Sequence, residues 1–246
     1  MPWKLPDDDA GILALAKSYP YDAPGGSYLF ADGVACALTG IGYGDRVPVI
    51  AHGSNRAPEQ LRRKFGAAAR IPVTIGWLAD YDVVYSAHIT QYGAVASTLQ
   101  HAPGARVRLS ITWLNERQLA RMHETEGPTN YTFGRLSGIE LRLEAGPGER
   151  CGEAFVYLGR NGCLDLDGGP IGLAATQADG RPYVARHQEE ALAMVRDRHR
   201  GDMALDAMIL EAVRQPAWRM ALVAEMKARA VAAAAPHFEA LDMSPR

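Results

Sequence analysis

The chain has 246 residues, with 26 lysines and arginines against 28 aspartates and glutamates, a formal net charge of −2. That balance removes the simplest electrostatic case for a nucleic-acid partner, which needs a basic excess to neutralise phosphates. An apolar share of 48% excludes wholesale disorder and suffices for one large domain or a compact domain with additions.

Cys36, Cys151 and Cys163 are too few and too scattered for a disulfide framework or a four-ligand zinc site. Asp7, Asp8 and Asp9 stand where a secretory signal carries positive charge and then an apolar run. No stretch reaches the roughly 18 apolar residues that span a bilayer. The expectation is a cytoplasmic protein with no membrane contact.

In chain order, Asp7 to Asp9 can cap a helix whose apolar positions include Ile12, Leu13 and Leu15. Tyr19-Pro20-Tyr21-Asp22-Ala23-Pro24-Gly25-Gly26 stops it. Residues 1–45 thus read as an N-terminal extension, a helix followed by irregular chain. From Arg46 to about Tyr157 the apolar period becomes two, the mark of strands with one buried face. Val47 and Val49 open a strand that ends at Ala51-His52. Val73, Ile75 and Trp77 alternate, and Val83-Val84-Tyr85 follow the turn-like Asp80-Tyr81-Asp82.

A hairpin is then expected. Ala94 to Leu99 leads into His101-Ala102-Pro103-Gly104, and Val107, Leu109, Ile111 and Trp113 share one face of the return strand. A second hairpin joins Ile139, Leu141 and Leu143 to Ala154–Tyr157 across Gly146-Pro147-Gly148. After Arg181 the pattern turns helical: Leu205, Met208, Ile209, Ala212 and Val213 form one stripe, with Asp202 as a cap. Pro216 interrupts, and Trp218, Ala221, Leu222, Met226 and Ala230 form another stripe. These stripes suit core packing, or a homo-oligomer contact through the C-terminal helices. The order of elements argues α+β rather than an alternating, doubly wound sheet.

Two places have the residue types for chemistry. His52-Gly53-Ser54-Asn55 follows a strand and precedes a helix in which Pro58 suits the first turn and Leu61, Phe65 and Ala68 supply the buried stripe. A glycine-containing turn that feeds a helix aims several backbone N–H groups into one concavity, where a carboxylate, a phosphate or a developing oxyanion can bind. Common turn chemistry accounts for the same residues. The second place is Asn115 to Gly127. Asn115 and Gln118 have capping-box spacing, and Gly127 and Pro128 end the helix. At 100° per residue from Leu119, Met122 falls at about 300° and Glu126 at about 340°, whereas Glu124 at about 140° points away. Glu126 thus shares the core-facing stripe. Burial and the helix C-terminus should both raise its pKa, as suits a group that accepts and returns a proton. A boundary glutamate that reaches solvent or pairs with an arginine is the structural alternative.

The order strand, Gly53-Ser54-Asn55, helix, then Gly93-Ala94-Val95-Ala96-Ser97-Thr98-Leu99, then a helix ending Glu126-Gly127 resembles the gamma-glutamylcyclotransferase-like superfamily. Its members typically carry Tyr-Gly-Ser-Asn and a catalytic glutamate in a Glu-Gly step. The resemblance covers roughly Val49 to Tyr157, with a possible continuation to Leu192. It implies a small mixed β-barrel with flanking helices, placed over residues 46–192; the helical stripes beyond make residues 193–246 a C-terminal helical segment packed on the core. It also implies that Gly53, Ser54 and Asn55 hold the substrate's α-carboxylate or polarise its γ-carbonyl. Glu126 would move the proton as the α-amine attacks that carbonyl, releasing 5-oxoproline and an amine without metal or organic cofactor. His52 replaces the family's tyrosine, either as a cavity group or as a strand-end histidine bonded to backbone. Tyr131, five residues beyond Glu126, either supplies a hydroxyl to the substrate or is an interface or core tyrosine, with Tyr92 and Tyr157 as lesser candidates.

His88, His101, His187 and His199 make no metal constellation, and Gly146–Gly152 lacks a phosphate-loop lysine. Arg196, Arg198 and Arg200 read as a solvated helix face. The expected partner is a small-molecule amide. Hydrolysis of an amide in the same cavity, and non-catalytic binding of a small ligand or a partner's tail, are the alternatives.

Overall fold

Asp8 caps the first helix, α1 (Asp9–Lys17), its carboxylate accepting from the Gly11 N–H at 2.8 Å. The computed structural model describes residues 4–126 and 129–243, with the backbone alone for Leu166. Gly127 and Pro128, the expected helix end, lie outside the described residues. The chain after α1 is not simply irregular, as the sequence suggests. β1 (Tyr28–Ala31) and β2 (Val34–Cys36) form a hairpin there. Its turn is Asp32-Gly33, both at positive φ, a pair that matches the twist of adjoining strands. All four residues of β1 are buried, so no period-two alternation announces it.

Five strands then close on themselves: β3 (Arg46–Ala51), β4 (Ile71–Ile89), β5 (Val95–Asn115), β6 (Tyr131–Leu143) and β7 (Arg150–Gly159). They pair in the order β5-β3-β7-β6-β4, and β4 returns to β5. β3 and β7 run parallel, with Val49 opposite Phe155, and the other neighbours are antiparallel. The result is a closed mixed barrel in an α+β fold with flanking helices, the architecture that the sequence resemblance implies. β1 adds to the wall beside β4, with Tyr28 opposite Val73. A C-terminal strand, Phe238–Ala240, adds beside β6.

The hairpin expected at Pro103-Gly104 is a bulge instead. β4 and β5 join through the Thr90–Ala94 turn, with Ile89 facing Val95. Ala79 faces Arg106 and Tyr81 faces His101, so two steps along β4 match five along β5. At this irregularity Asp80 has positive φ, and its carboxylate accepts from the Gly104 N–H at 2.8 Å. Turn-forming residues here bend two continuous strands round the barrel rather than reversing the chain. The Asp80-Tyr81-Asp82 segment likewise is no turn. The β6–β7 hairpin does reverse across Gly146-Pro147-Gly148, with Leu141 opposite Cys151.

Alternate residues of the wall feed two cores. Ile50 and Trp113 join Leu109, Ile111, Leu136 and Val156 in the larger cluster. Their chain neighbours Val49 and Leu114 join Leu61, Met122, Phe133 and Tyr157 in the second. The second cluster seats α2 (Pro58–Phe65) and α3 (Glu116–Glu126). The larger one runs on into α1 and into α4 (Gln188–His199), α5 (Leu205–Arg214) and α6 (Pro216–Ala228), through Ile12, Leu192, Met208, Ile209, Leu222 and Met226. Two local expectations change. Ala204, not Asp202, occupies the N-cap of α5, and Ala68 lies exposed beyond the end of α2. Among the described residues, no helix is long and apolar enough to cross a membrane.

Asp82 of β4 has a side chain with no solvent exposure, and Arg181 meets it with Nε at 2.7 Å and Nη2 at 3.0 Å. The same Nη2 donates to the Thr176 carbonyl at 2.9 Å, tying the loop after the barrel to its wall. Arg181→Met strands the Asp82 charge and should cost about 3 kcal/mol or more of unfolding free energy in urea titrations. Pairing Arg181→Met with Asp82→Leu should recover most of that loss.

Candidate active site

β3 ends at Ala51, and the chain turns at His52-Gly53 into a single 3-10 turn, Ser54–Arg56. Pro58 at the first position of α2 then starts the helix, where a missing N–H costs nothing. Gly53 is held to glycine by space. A Cβ there would overlap the Tyr19 hydroxyl and lie 2.7 Å from the Ser97 hydroxyl.

His52 is buried, and both its ring nitrogens are engaged. Nε2 lies 2.8 Å from the Tyr157 carbonyl, which only accepts, so Nε2 carries the proton. Nδ1, 3.1 Å from Ser97 Oγ, must then accept from that hydroxyl. Ser97 in turn accepts from the Tyr19 hydroxyl at 2.6 Å, while its own N–H donates to Tyr19 at 3.0 Å. Burial lowers the His52 pKa, against the opposing pull of the Tyr157 carbonyl and Glu126. His52 therefore takes the backbone-bonded form of the two alternatives, although it also borders the cavity.

α3 opens with the expected capping box. Asn115 Oδ1 accepts from the Gln118 N–H at 3.0 Å, and Gln118 Oε1 accepts from the Asn115 N–H at 3.2 Å. Gln118 also accepts from Arg46 Nη1 at 2.8 Å, which ties the helix start to β3. Met122 is fully buried and Leu119 packs against the same cluster, so the helix face is that of the wheel count. Glu124 is 64% exposed and pairs with Arg121, whereas the Glu126 side chain is 10% exposed.

Glu126 Oε1 accepts from Asn55 Nδ2 at 2.7 Å and forms a close ion pair with Lys64 Nζ. Lys64 sits in the last turn of α2 and is itself 9% exposed. This reverses the expected pKa. Burial pushes the carboxyl up, but the Lys64 ammonium and the hydrogen bonds from Asn55 and Lys64 together hold it below the ordinary 4.5. The partner is a lysine rather than the arginine considered from sequence. The same wheel count finds it, because Lys64 falls at about 300° from the buried Leu61. Within Arg62-Arg63-Lys64 it reads as one more solvated cation. Tyr19 and Ser97 lie 78 positions apart and meet only in the fold.

His52, Gly53, Ser54, Asn55, Glu126 and Tyr131 all border one cavity of about 930 Å³. Lys64 and Gln60 line it too, and α6 supplies a further wall through Met220, Val223 and Lys227. Burial raises the Tyr131 hydroxyl well above its ordinary range, followed by the effects of Tyr19 and Glu126. Tyr92 borders the same space, and the Ser54 side chain hydrogen-bonds it. The Tyr157 hydroxyl is bonded to His123 Nδ1 at 2.7 Å. Asn55 and Gln60 line the cavity, and Asn55 Oδ1 and Gln60 Oε1 are buried without a donor among the described residues. No group of three or more His, Cys, Asp or Glu side chains able to hold a metal occurs among the described residues.

No family model and no curated protein matches the chain. Several solved structures resemble it, among them the following two. One, a gamma-glutamyl cyclotransferase, has 12% sequence identity and a TM-score of 0.38, covering 72% of this chain and 86% of that one. The other, an uncharacterized human protein, has 13% identity with the same TM-score and coverage. Neither likeness decides the chemistry, which rests on the cavity itself.

His88, on the same cavity, is held down to about 4 by burial and then by Arg219. Unfolded, this histidine takes a proton near pH 6.5, while the folded form refuses it until about 4. Its share of stability is therefore intact above pH 6.5 and falls as the pH drops toward 4, by at most about 3 kcal/mol. Urea titrations at pH 7.5 and 4.5 should show a smaller pH-dependent loss in His88→Gln than in the wild type.

Proposed function

We propose that the cavity carries out intramolecular acyl transfer on a gamma-glutamyl amide. The α-amine nitrogen bonds to the γ-carbonyl carbon, and the amide C–N bond breaks. Glu126 takes the proton released by the attacking nitrogen and returns it to the leaving nitrogen. The products are 5-oxoproline and a free amine. Attacking and leaving groups belong to one molecule, so holding the substrate in its reactive conformation supplies much of the rate.

The observation that carries the reading is the meeting of Glu126 with the Gly53–Asn55 loop at one cavity, the Asn55 amide bonded to the carboxylate. An ionised Glu126 can accept a proton. The loop supplies polar groups for a carbonyl or carboxylate oxygen. Tyr131 borders the same space and would offer its hydroxyl to the substrate. The Lys64–Glu126 pair favours a second reading, non-catalytic binding of a small ligand, because a neutralised carboxylate is a weak base.

Incubation with a panel of gamma-glutamyl amides and measurement of 5-oxoproline separates the readings. The wild type should release the lactam, and Glu126→Gln should be slower by about 10²–10⁴-fold. Equal rates for the two proteins would remove Glu126 from the chemistry. Release of free glutamate in place of the lactam would make the protein an amide hydrolase. Binding without product would make it a binding module.

A further inference from the structure

We propose that Lys64 is the recognition residue for the substrate's α-carboxylate, and that its transfer from Glu126 to that carboxylate readies Glu126 to take the amine proton. This rests on the gamma-glutamyl reading above, and it assigns the α-amino acid head group to a definite pair of charges. The loop at Gly53-Ser54 is then left for the γ-carbonyl oxygen.

The pair is nearly sealed from solvent, with Lys64 at 9% and Glu126 at 10% exposure, yet both border the cavity. Separating two such charges in place would strand each of them, at considerable cost. A zwitterionic head group avoids that cost by exchange. Its carboxylate replaces Glu126 at Lys64, and its ammonium replaces Lys64 at Glu126. Each protein charge keeps an opposite partner throughout. Asn55 and Gln60 line the same cavity, and Asn55 Oδ1 and Gln60 Oε1 have no donor among the described residues.

The exchange also corrects the weakness of Glu126 as a base. Its surroundings are Tyr19 ahead of β1, His52 at the end of β3, Asn55 in the 3-10 turn, Lys64 of α2, Tyr131 of β6 and Tyr157 of β7. On its own helix, Glu124 and Arg121 pair with each other. His52 is neutral by its buried hydrogen bonds, and the tyrosines are uncharged at neutral pH. Lys64 is thus the cation in contact with the carboxylate among the described residues. Once Lys64 has moved, the cation against Glu126 is the substrate's own ammonium, whose proton passes to the carboxylate and frees the amine to attack. A substrate that lacks the carboxylate leaves the pair closed.

L-Glutamine and L-glutaminamide differ at the α-carboxyl group alone and serve as probes. Their binding to the full-length wild type, Lys64→Met and Lys64→Arg is measured by calorimetry. The wild type should bind glutamine at least about 10-fold more tightly than the amide, as expected for a charge-assisted contact. Lys64→Met should bind the two within about 2-fold, and Lys64→Arg should restore part of the preference. The acid limb of the kcat/KM profile should move to higher pH in Lys64→Met. Wild type that binds both probes equally or neither, or Lys64→Met that keeps the wild-type preference, overturns the proposal. If Lys64→Met fails to fold, the wild-type pair and Lys64→Arg decide. The reaction is read separately: a Lys64-dependent preference without 5-oxoproline release sinks the acyl-transfer reading and leaves the recognition role standing.

Discussion

A carboxylate nearly removed from water must either give up its charge or find compensation, and the site is organised round that constraint. Glu126 keeps its charge because Lys64 and Asn55 meet it from two different stretches of chain. Lys64 arrives on α2, which begins where Pro58 ends the loop, so loop and helix position both partners together. Glu126 arrives on α3, whose direction is set by the Asn115–Gln118 cap and by Met122 in the core. A loss of register in either helix would strand a buried charge. That makes the site as much a packing requirement as a chemical one.

The barrel supplies the fixed frame. β3 and β7 run parallel at its wall, and His52 at the end of β3 bonds to the Tyr157 carbonyl of β7. Tyr19 and Ser97 extend that bonding to the chain after α1 and to β5. The loop is thereby tied to three distant segments, and glycine at position 53 is what lets them approach so closely. Long, bulged β4 and β5 close the barrel, and their far halves help seat the C-terminal helices, including α6, which reaches the cavity.

The sequence makes local periodicity legible and long-range meetings illegible. Leu119, Met122 and Glu126 share a helix face whatever the fold, so the buried glutamate was readable. Lys64 obeys the same count from Leu61, but nothing local says that two helix faces will confront each other. The raised pKa expected for Glu126 failed for that reason, since burial was visible and the counter-ion was not. Pro103-Gly104 carries turn chemistry, and only the pairing of β4 with β5 shows that it bends a strand without reversing it. Asp32-Gly33 had a readable hairpin signal, hidden by a strand buried on both faces.

The central claim is that Lys64 and Asn55 hold Glu126 as an anion inside the cavity. Carbon-13 NMR titration of the glutamate carboxyl carbons tests it most directly, with the Glu126 signal assigned by its loss in Glu126→Gln. A midpoint below 4.5 for Glu126 in the ligand-free protein is the predicted result. A midpoint at or above 4.5 would contradict the account, because burial would then outweigh the ion pair.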